Sequence, residues 1–240
     1  MTAAGRFLGS SIGKKVVMAV TGFALFGFVV AHMLGNLLVY LGPAALNAYA
    51  ESLRHYPALL WAARIGLLVA AALHVWAAYS LTMMNRAARP EGYREREHRE
   101  STYASRTMRW SGVLLLLFIV YHLMHMTWGN AHPNFIPGDV YHNFIVGFRQ
   151  TLVSVVYIVA MLALGLHMYH GVWSLLQTLG LSHPRYNPLR HAFATLITAV
   201  VVIGNISMPV AVLAGWLEPP RAREIPSRAE AGPTPIGHQE

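Results

Sequence analysis

The sequence predicts an all-α integral membrane protein, built as a bundle of five transmembrane helices. Hydrophobic residues make up 55% of the 240-residue chain and charged residues only 12%, whereas a soluble domain carries about 25% charged residues. The charges are also segregated, since all ten Asp and Glu residues fall outside the long apolar segments. About 20 apolar residues are enough to cross the hydrocarbon core of a bilayer, so each such segment is a candidate span.

Five segments reach that length, and they cover residues 16–41, 58–84, 109–129, 150–178 and 192–216. The intervals between them contain the turn-forming pairs Gly42-Pro43, Arg89-Pro90 and His132-Pro133, and then Pro184 and Pro188. Pro209 lies within the fifth segment, where a transmembrane helix tolerates it. We therefore expect one five-helix domain over residues 1–216 and a mobile tail over residues 217–240, which are rich in Pro and Ala.

The distribution of Lys and Arg predicts the orientation in the membrane. With the N-terminus inside, the inner segments contain twelve basic side chains, whereas the two outer loops contain only Arg54 and Arg149. Cytoplasmic loops carry an excess of Lys and Arg, so we expect a multi-pass protein of the cell inner (cytoplasmic) membrane with its N-terminus in the cytoplasm and its C-terminus outside. This topology explains the formal net charge of +8 more simply than binding of nucleic acid does.

Six histidines lie inside four of the five segments: His32, His74, His122, His125, His167 and His170. A bilayer tolerates few polar side chains unless each has a partner, and haem iron takes axial imidazole ligands. At a rise of about 1.5 Å per residue, His32 and the third-segment histidines fall in the outer half of the membrane. His74 and the fourth-segment histidines lie nearer the middle or the inner half. This sorting predicts two haems, each held between two helices.

The spacing leaves two choices of ligand open. Histidines three residues apart share one face of a helix, so only one of 122/125 and one of 167/170 can bind a given iron from that side. Depth alone slightly favours His125 as the partner of His32. Hydrogen-bonded packing or proton relay explains any single intramembrane histidine, so a haem-free five-helix transporter or scaffold is the alternative function. The chain contains no cysteine, which excludes protein-bound iron–sulfur clusters and zinc–thiolate sites.

The histidine-bearing stretches FVVAHMLGNLLVY, AALHVWAAYSLT, SRTMRWSGVLLLLFIVYHLMHMTWG and LHMYHGVWSLLQTLG resemble a known family. This is the five-helix, di-haem cytochrome b membrane anchor of succinate:quinone oxidoreductases, the succinate dehydrogenases and fumarate reductases. The resemblance covers about residues 14–216. It implies two haem b groups, one held by His32 and His122 towards the outer face and one held by His74 and His167 towards the inner face. His125 and His170 would then lie beside the ligands.

The resemblance also implies partners and a direction of electron flow. A flavoprotein subunit and an iron–sulfur subunit would pass electrons from succinate through the anchor to a membrane quinone, menaquinone or ubiquinone. Gly165 stands where some fumarate reductases of this type have a Glu, so succinate oxidation is the expected direction. The chain has no GxGxxG motif and no soluble domain for a flavin. The anchor of a hydrogenase or formate dehydrogenase is the alternative within this class.

Two polar clusters are candidate quinone sites, because a quinone needs hydrogen-bond donors and a proton source beside an apolar slot. The outer cluster consists of Glu51, Arg54 and His55, and the inner cluster consists of Ser105, Arg106, Arg109 and Trp110. Ordinary loop side chains are the alternative explanation for the outer cluster. Arginines that set the topology or bind haem propionates are the alternative for the inner one.

Overall fold

The computed structural model of the protein describes residues 3–88, 103–178, 180 and 183–219, and the side chains of these ranges except at 3–5 and 103–106. Within these ranges the chain forms eight α-helices and no β-strand. A 3₁₀ helix, Leu37–Leu41, directly follows the second α-helix. The α-helices are α1 (Ala3–Gly9), α2 (Ser11–Asn36), α3 (Pro43–His55), α4 (Pro57–Ala87), α5 (Tyr103–Met126), α6 (Val140–Arg149), α7 (Thr151–Thr178) and α8 (Asn187–Leu213).

Five helical segments of the described chain are long and apolar enough to cross a membrane, which confirms the predicted five-helix bundle. They are Ser11–Leu41, Pro57–Ala87, Thr107–Met126, Thr151–Thr178 and Asn187–Leu213. Large apolar side chains cover much of their outer surface, as contact with lipid requires. The placement of the N-terminus in the cytoplasm rests on the charge distribution alone and stays a prediction.

Several helix ends differ from their predicted positions. Helix α5 ends at Met126 rather than at residue 129, because the chain turns at Gly129, whose φ of +77° favours glycine. Helix α8 begins at Asn187 rather than at residue 192, because Pro188 lies in its first turn, where its missing N–H breaks no helical hydrogen bond. The same helix ends at Leu213 instead of residue 216.

The two connections predicted as outer loops each contain a helix that the sequence analysis missed. Pro43 begins α3, and the Asp139 side chain caps α6 by accepting a hydrogen bond from the backbone N–H of His142. One face of α6 is buried against Val39, Leu46 and Tyr157, and it consists of Tyr141, Phe144, Ile145 and Phe148. Apolar residues at this three-to-four-residue spacing are the signal of a short amphipathic helix.

Hydrogen bonds tie these two short helices together at one end of the bundle. The Asn47 side chain of α3 donates to the Asp139 carboxylate at 2.9 Å and accepts from the backbone N–H of Tyr141 at 3.0 Å. The Tyr141 hydroxyl donates to the carbonyl of Glu218 at 3.0 Å, so the chain beyond α8 returns to the same place. This end is the α3–α6 end; the opposite end, at which α1 and residues 183–186 lie, is the N-terminal end.

We expect Asn47→Ala to destabilise the protein by about 1–3 kcal/mol, because it removes both hydrogen bonds between α3 and α6. For a chain of this size each kcal/mol lowers the Tm by about 2–4 °C, which thermal unfolding in detergent measures. Ser52→Ala is the matched control, since the Ser52 hydroxyl bonds only to a carbonyl of its own helix and is exposed. Equal Tm values for the two variants would contradict the role given to Asn47.

Candidate functional site

The structure brings four of the predicted histidines together as two facing pairs. The rings of His32 on α2 and His122 on α5 have their centroids 5.8 Å apart, with their planes at 85°. The rings of His74 on α4 and His167 on α7 have their centroids 6.3 Å apart, with their planes at 60°. The first pair lies towards the α3–α6 end, because His32 is four residues from the end of α2 at Asn36. The second pair lies towards the N-terminal end.

The pairs reach across the space between two sets of packed helices. Helix α2 packs on α4, α7 packs on both α5 and α8, and the two sets touch where α2 meets α7. Each histidine pair instead joins a helix of one set to a helix of the other, α2 to α5 and α4 to α7. The site therefore lies between four helices that come from separate parts of the chain. His32 is exposed there, and His74, His122 and His167 are half-buried.

A hydroxyl group orients each ring of the pair near the N-terminal end. The Thr21 hydroxyl donates to the Val17 carbonyl at 2.7 Å and lies 3.2 Å from His74 Nδ1. The Ser111 hydroxyl donates to the Met108 carbonyl at 3.0 Å and lies 3.2 Å from His167 Nδ1. Because each hydroxyl group donates its one proton to a backbone carbonyl, we assign its oxygen as the acceptor of a hydrogen bond from an Nδ1–H group. In that tautomer the Nε2 lone pair of both rings is free to bind a metal.

The Tyr157 hydroxyl of α7 lies between His122 and His125. Its oxygen is 3.2 Å from His122 Nδ1 and 2.9 Å from His125 Nδ1. A phenol has a single proton, so it donates to one of these rings and accepts from the other. Tyr157 was not among the residues predicted for the site. A tyrosine that lies on a different helix gives no spacing signal next to the two histidines.

His125 points away from the facing pair and is fully buried against the α3–α6 end. Its ring stacks on that of His132, with centroids 4.9 Å apart, and a Cβ on Gly147 of α6 would lie 2.8 Å from its Cε1. His132 itself donates from Nε2 to the carbonyl of Asn143 at 2.8 Å. The structure therefore brings His122, and not His125, to His32, although the depth estimate slightly favoured His125.

His170 also stands apart from the facing pairs. Its ring contacts the edge of Trp173, one turn further along α7, with centroids 5.7 Å apart, and its Nδ1 is buried with no hydrogen-bond partner. Its neighbour His167 is the residue that faces His74. The choice between the two histidines of each couple thus comes from packing against neighbouring helices, which the three-residue spacing could not reveal.

The geometry of both pairs fits a haem iron. Two metal–imidazole bonds of about 2 Å, plus about 1 Å from each ligating nitrogen to its ring centre, place two axial imidazoles about 6 Å apart. Glycines lie beside two of the rings: a Cβ on Gly22 would be 3.2 Å from His74 Cε1, and one on Gly112 would be 3.7 Å from His167 Cε1. Within the described residues no group of three or more His, Asp or Glu side chains could hold a free metal ion.

The candidate quinone residues of the outer cluster lie together on α3, at the α3–α6 end. Glu51, Arg54 and His55 are all exposed. The Arg54 guanidinium donates to the carbonyl of Gly138 at 3.3 Å, and the His55 ring contacts the edge of Tyr56. The cluster thus shares one end of the bundle with the His32–His122 pair.

The inner cluster is described only in part. Arg109 and Trp110 are exposed near the start of α5, and the Trp110 side chain is 79% accessible. The side chains of Ser105 and Arg106 lie outside the described residues. Ser111, the next residue after this cluster, is buried and contacts His167.

A bundle of five apolar helices, each long enough to cross a membrane, defines a multi-pass membrane protein. A family model described as the succinate dehydrogenase/fumarate reductase transmembrane subunit matches residues 82–204. The chain belongs to this family, and it is therefore a membrane subunit of an oxidoreductase complex. The match includes His122 and His167, whereas His32 and His74 precede it. Neither the curated proteins nor the solved structures contain a significant match to the chain.

Proposed function

We propose that the chain is the di-haem cytochrome b anchor of a succinate dehydrogenase, and that it carries electrons from an iron–sulfur subunit to membrane quinone. The single observation that carries this proposal is that four histidines, on four different helices, face each other as two pairs at two levels of the bundle. A haem-free transporter or scaffold gives no reason for two such pairs at the separation that axial ligands require.

His74 and His167 are the proposed axial ligands of one haem, and His32 and His122 those of the other. When bound, the two haems would act as one-electron carriers at two depths of the membrane. The protein contributes the orientation of each ring. Thr21 and Ser111 hold the Nδ1–H groups of one pair, so that both Nε2 atoms are directed into the site.

Tyr157 has the corresponding role for His122. We assign its oxygen as the acceptor of His122 Nδ1–H and its proton as the donor to His125 Nδ1. This arrangement leaves the lone pair of His122 Nε2 free towards His32, and it places the remaining proton of His125 on Nε2, inside the α3–α6 end. The opposite arrangement would protonate His122 Nε2 and prevent it from binding iron.

The partners follow from the family and the charge distribution. The chain belongs to a subunit family that assembles with other succinate dehydrogenase or fumarate reductase subunits. With the N-terminal end on the cytoplasmic side, the iron–sulfur subunit and its flavoprotein would dock at that end, nearest to the His74–His167 pair. Quinone would be reduced at the α3–α6 end, where Glu51 is the carboxylate that could pass protons. Gly165 packs against Val202 where some fumarate reductases have a Glu, which favours succinate oxidation.

The haem count tests the function directly. We expect about two haem b per polypeptide and a b-type α-band in the reduced-minus-oxidised spectrum of the purified complex. His74→Ala or His167→Ala should remove one haem and leave the other, because these residues belong to one pair. A complex without haem, or a variant that keeps both haems, would refute the assignment.

Two milder variants keep all four histidines, and they separate an effect on the haem from a folding defect. Thr21→Val removes only the hydroxyl beside His74, so we expect both haems to bind and the midpoint potential of one to shift. Thr82→Val is the matched control, because the Thr82 hydroxyl bonds to the carbonyl of Ala78 in its own helix. A redox titration that shifts equally in both variants would contradict the role of Thr21.

The choice of ligand on α5 has its own test. His122→Ala should abolish the haem near the α3–α6 end, whereas His125→Ala should keep both haems, since its ring faces His132 and Gly147. Haem content and the electron paramagnetic resonance signals of the low-spin ferric haems distinguish the two outcomes. Loss of a haem only in His125→Ala would reverse the assignment.

The quinone site is tested with Glu51→Gln in the assembled complex. We expect quinone reduction to fall at least about tenfold, because a general acid or base typically contributes a factor of about 100 or more. Succinate oxidation with an artificial acceptor at the flavoprotein should be unchanged. Ser52→Ala, at the neighbouring exposed position, is the control. Undiminished quinone reduction in Glu51→Gln removes the proposal for this end.

A further inference from the structure

We infer that the chain binds the phosphate group of an anionic phospholipid in a cavity at the N-terminal end, between α7 and α8. The cavity has a volume of about 600 Å³. Its walls include the apolar side chains of Leu176, Leu189 and Phe193, and its polar lining includes His183, Tyr186 and Arg190. An apolar space bordered by the cationic Arg190 matches an acyl chain that carries an anionic head group.

Arg190 is the residue that requires a ligand. Its side chain is only 7% exposed, yet Nε and Nη1 are buried with no hydrogen-bond partner. A buried charge is costly unless it is paired and hydrogen-bonded. The planar guanidinium donates two parallel hydrogen bonds to the oxygens of a phosphate or carboxylate. The missing partner is therefore an oxyanion.

The described part of the chain supplies no such oxyanion at this end; Glu91, Glu95, Glu97 and Glu100, which the predicted topology places on the same side, lie outside the described residues. The described carboxylates are Glu51, Asp139 and Glu218. All three belong to the α3–α6 end, and Glu218 lies beyond the far end of α8 from Arg190. A 27-residue helix is about 40 Å long at 1.5 Å per residue, so none of these carboxylates reaches the guanidinium.

Other buried polar atoms without partners concentrate in the same region. Of the eight found in the described residues, five belong to four residues near this end of α7 and α8: His170 Nδ1, Trp173 Nε1, Asn187 Oδ1, and Arg190 Nε and Nη1. Trp173 stacks on His191, the neighbour of Arg190, with ring centroids 5.0 Å apart. Donors and acceptors are thus present on both helices that border the cavity.

The cavity lies on the side of α7 that faces away from the histidine pair. Leu176 follows His167 by nine residues, which is two and a half turns at about 3.6 residues per turn. The two side chains therefore project from opposite sides of α7. Tyr169 and His191, whose hydroxyl oxygen and Nδ1 are 3.2 Å apart, join α7 to α8 on the cavity's side. This placement favours a lipid phosphate as the partner of Arg190, rather than a propionate of a haem held by His167. Basic pockets between transmembrane helices are known sites for anionic lipid head groups.

The test uses the whole complex purified in detergent, with bound phospholipid measured by native mass spectrometry. Arg190→Met should retain at least about fivefold less anionic phospholipid than the unaltered complex. Arg190→Lys keeps the charge but not the planar guanidinium with its paired donors, so it should retain an intermediate amount. Arg185→Gln is the control, because it removes the same charge from an exposed neighbouring position outside the cavity lining. Equal retention in Arg190→Met and Arg185→Gln would overturn the inference.

Two further measurements separate the possible sources of the anion. Phosphatidylglycerol in mixed detergent micelles should raise the Tm of the unaltered complex, and inorganic phosphate at the same concentration should not; equal shifts would point to a free anion. A change in the potential of one haem in Arg190→Met, with lipid retention unchanged, would assign the guanidinium to a haem propionate. If Arg190→Met does not assemble, Leu176→Trp replaces it as the test, because this substitution fills the cavity and keeps the arginine. The inference then requires that Leu176→Trp loses the bound lipid.

Discussion

A polar group inside a membrane span has no water to bond to, and this constraint organises the interior of the bundle. The Thr21–His74 contact joins α2 to α4, the Ser111–His167 contact joins α5 to α7, and Tyr157 joins α7 to α5 again. Both of these helix pairs, α2 with α4 and α5 with α7, also pack closely along the bundle, as α7 and α8 do. The hydrogen bonds that satisfy the imidazoles therefore also set the relative rotation of the helices, and so the direction in which each ring faces.

The sequence predicted the architecture well and the details of the site only in part. Long apolar segments are a strong signal, so most ends of the five spans agree with the structure to within a few residues. The first and fifth spans each begin five residues before the predicted start, at Ser11 and Asn187. The sorting of histidines by depth anticipated both facing pairs. Depth alone slightly favoured His125 over His122, and the three-residue spacing gave no reason to prefer His122, because residues three apart share a helix face. The packing that separates them involves Tyr157 and Gly147, on helices distant in sequence.

The two ends of the bundle are built differently. At the α3–α6 end the chain closes over itself, with α3, α6 and residues beyond α8 joined by Asn47 and Tyr141. At the N-terminal end, Trp110 is largely exposed and Arg190 lines an open cavity. Under the proposed function, the N-terminal end would receive electrons from the iron–sulfur subunit and the α3–α6 end would exchange quinone with the membrane.

The origin of each histidine pair has a consequence for biogenesis. Of the five spans, the two that contain His32 and His74 leave the ribosome before those of their partners, His122 and His167, which are the third and fourth. The early hairpin of α2 and α4 therefore enters the bilayer with both of its facing rings unmatched. Neither facing pair is present before α5 has been inserted, and the second requires α7. Both facing pairs are thus completed late in the synthesis of the chain, after most of the polypeptide has been made.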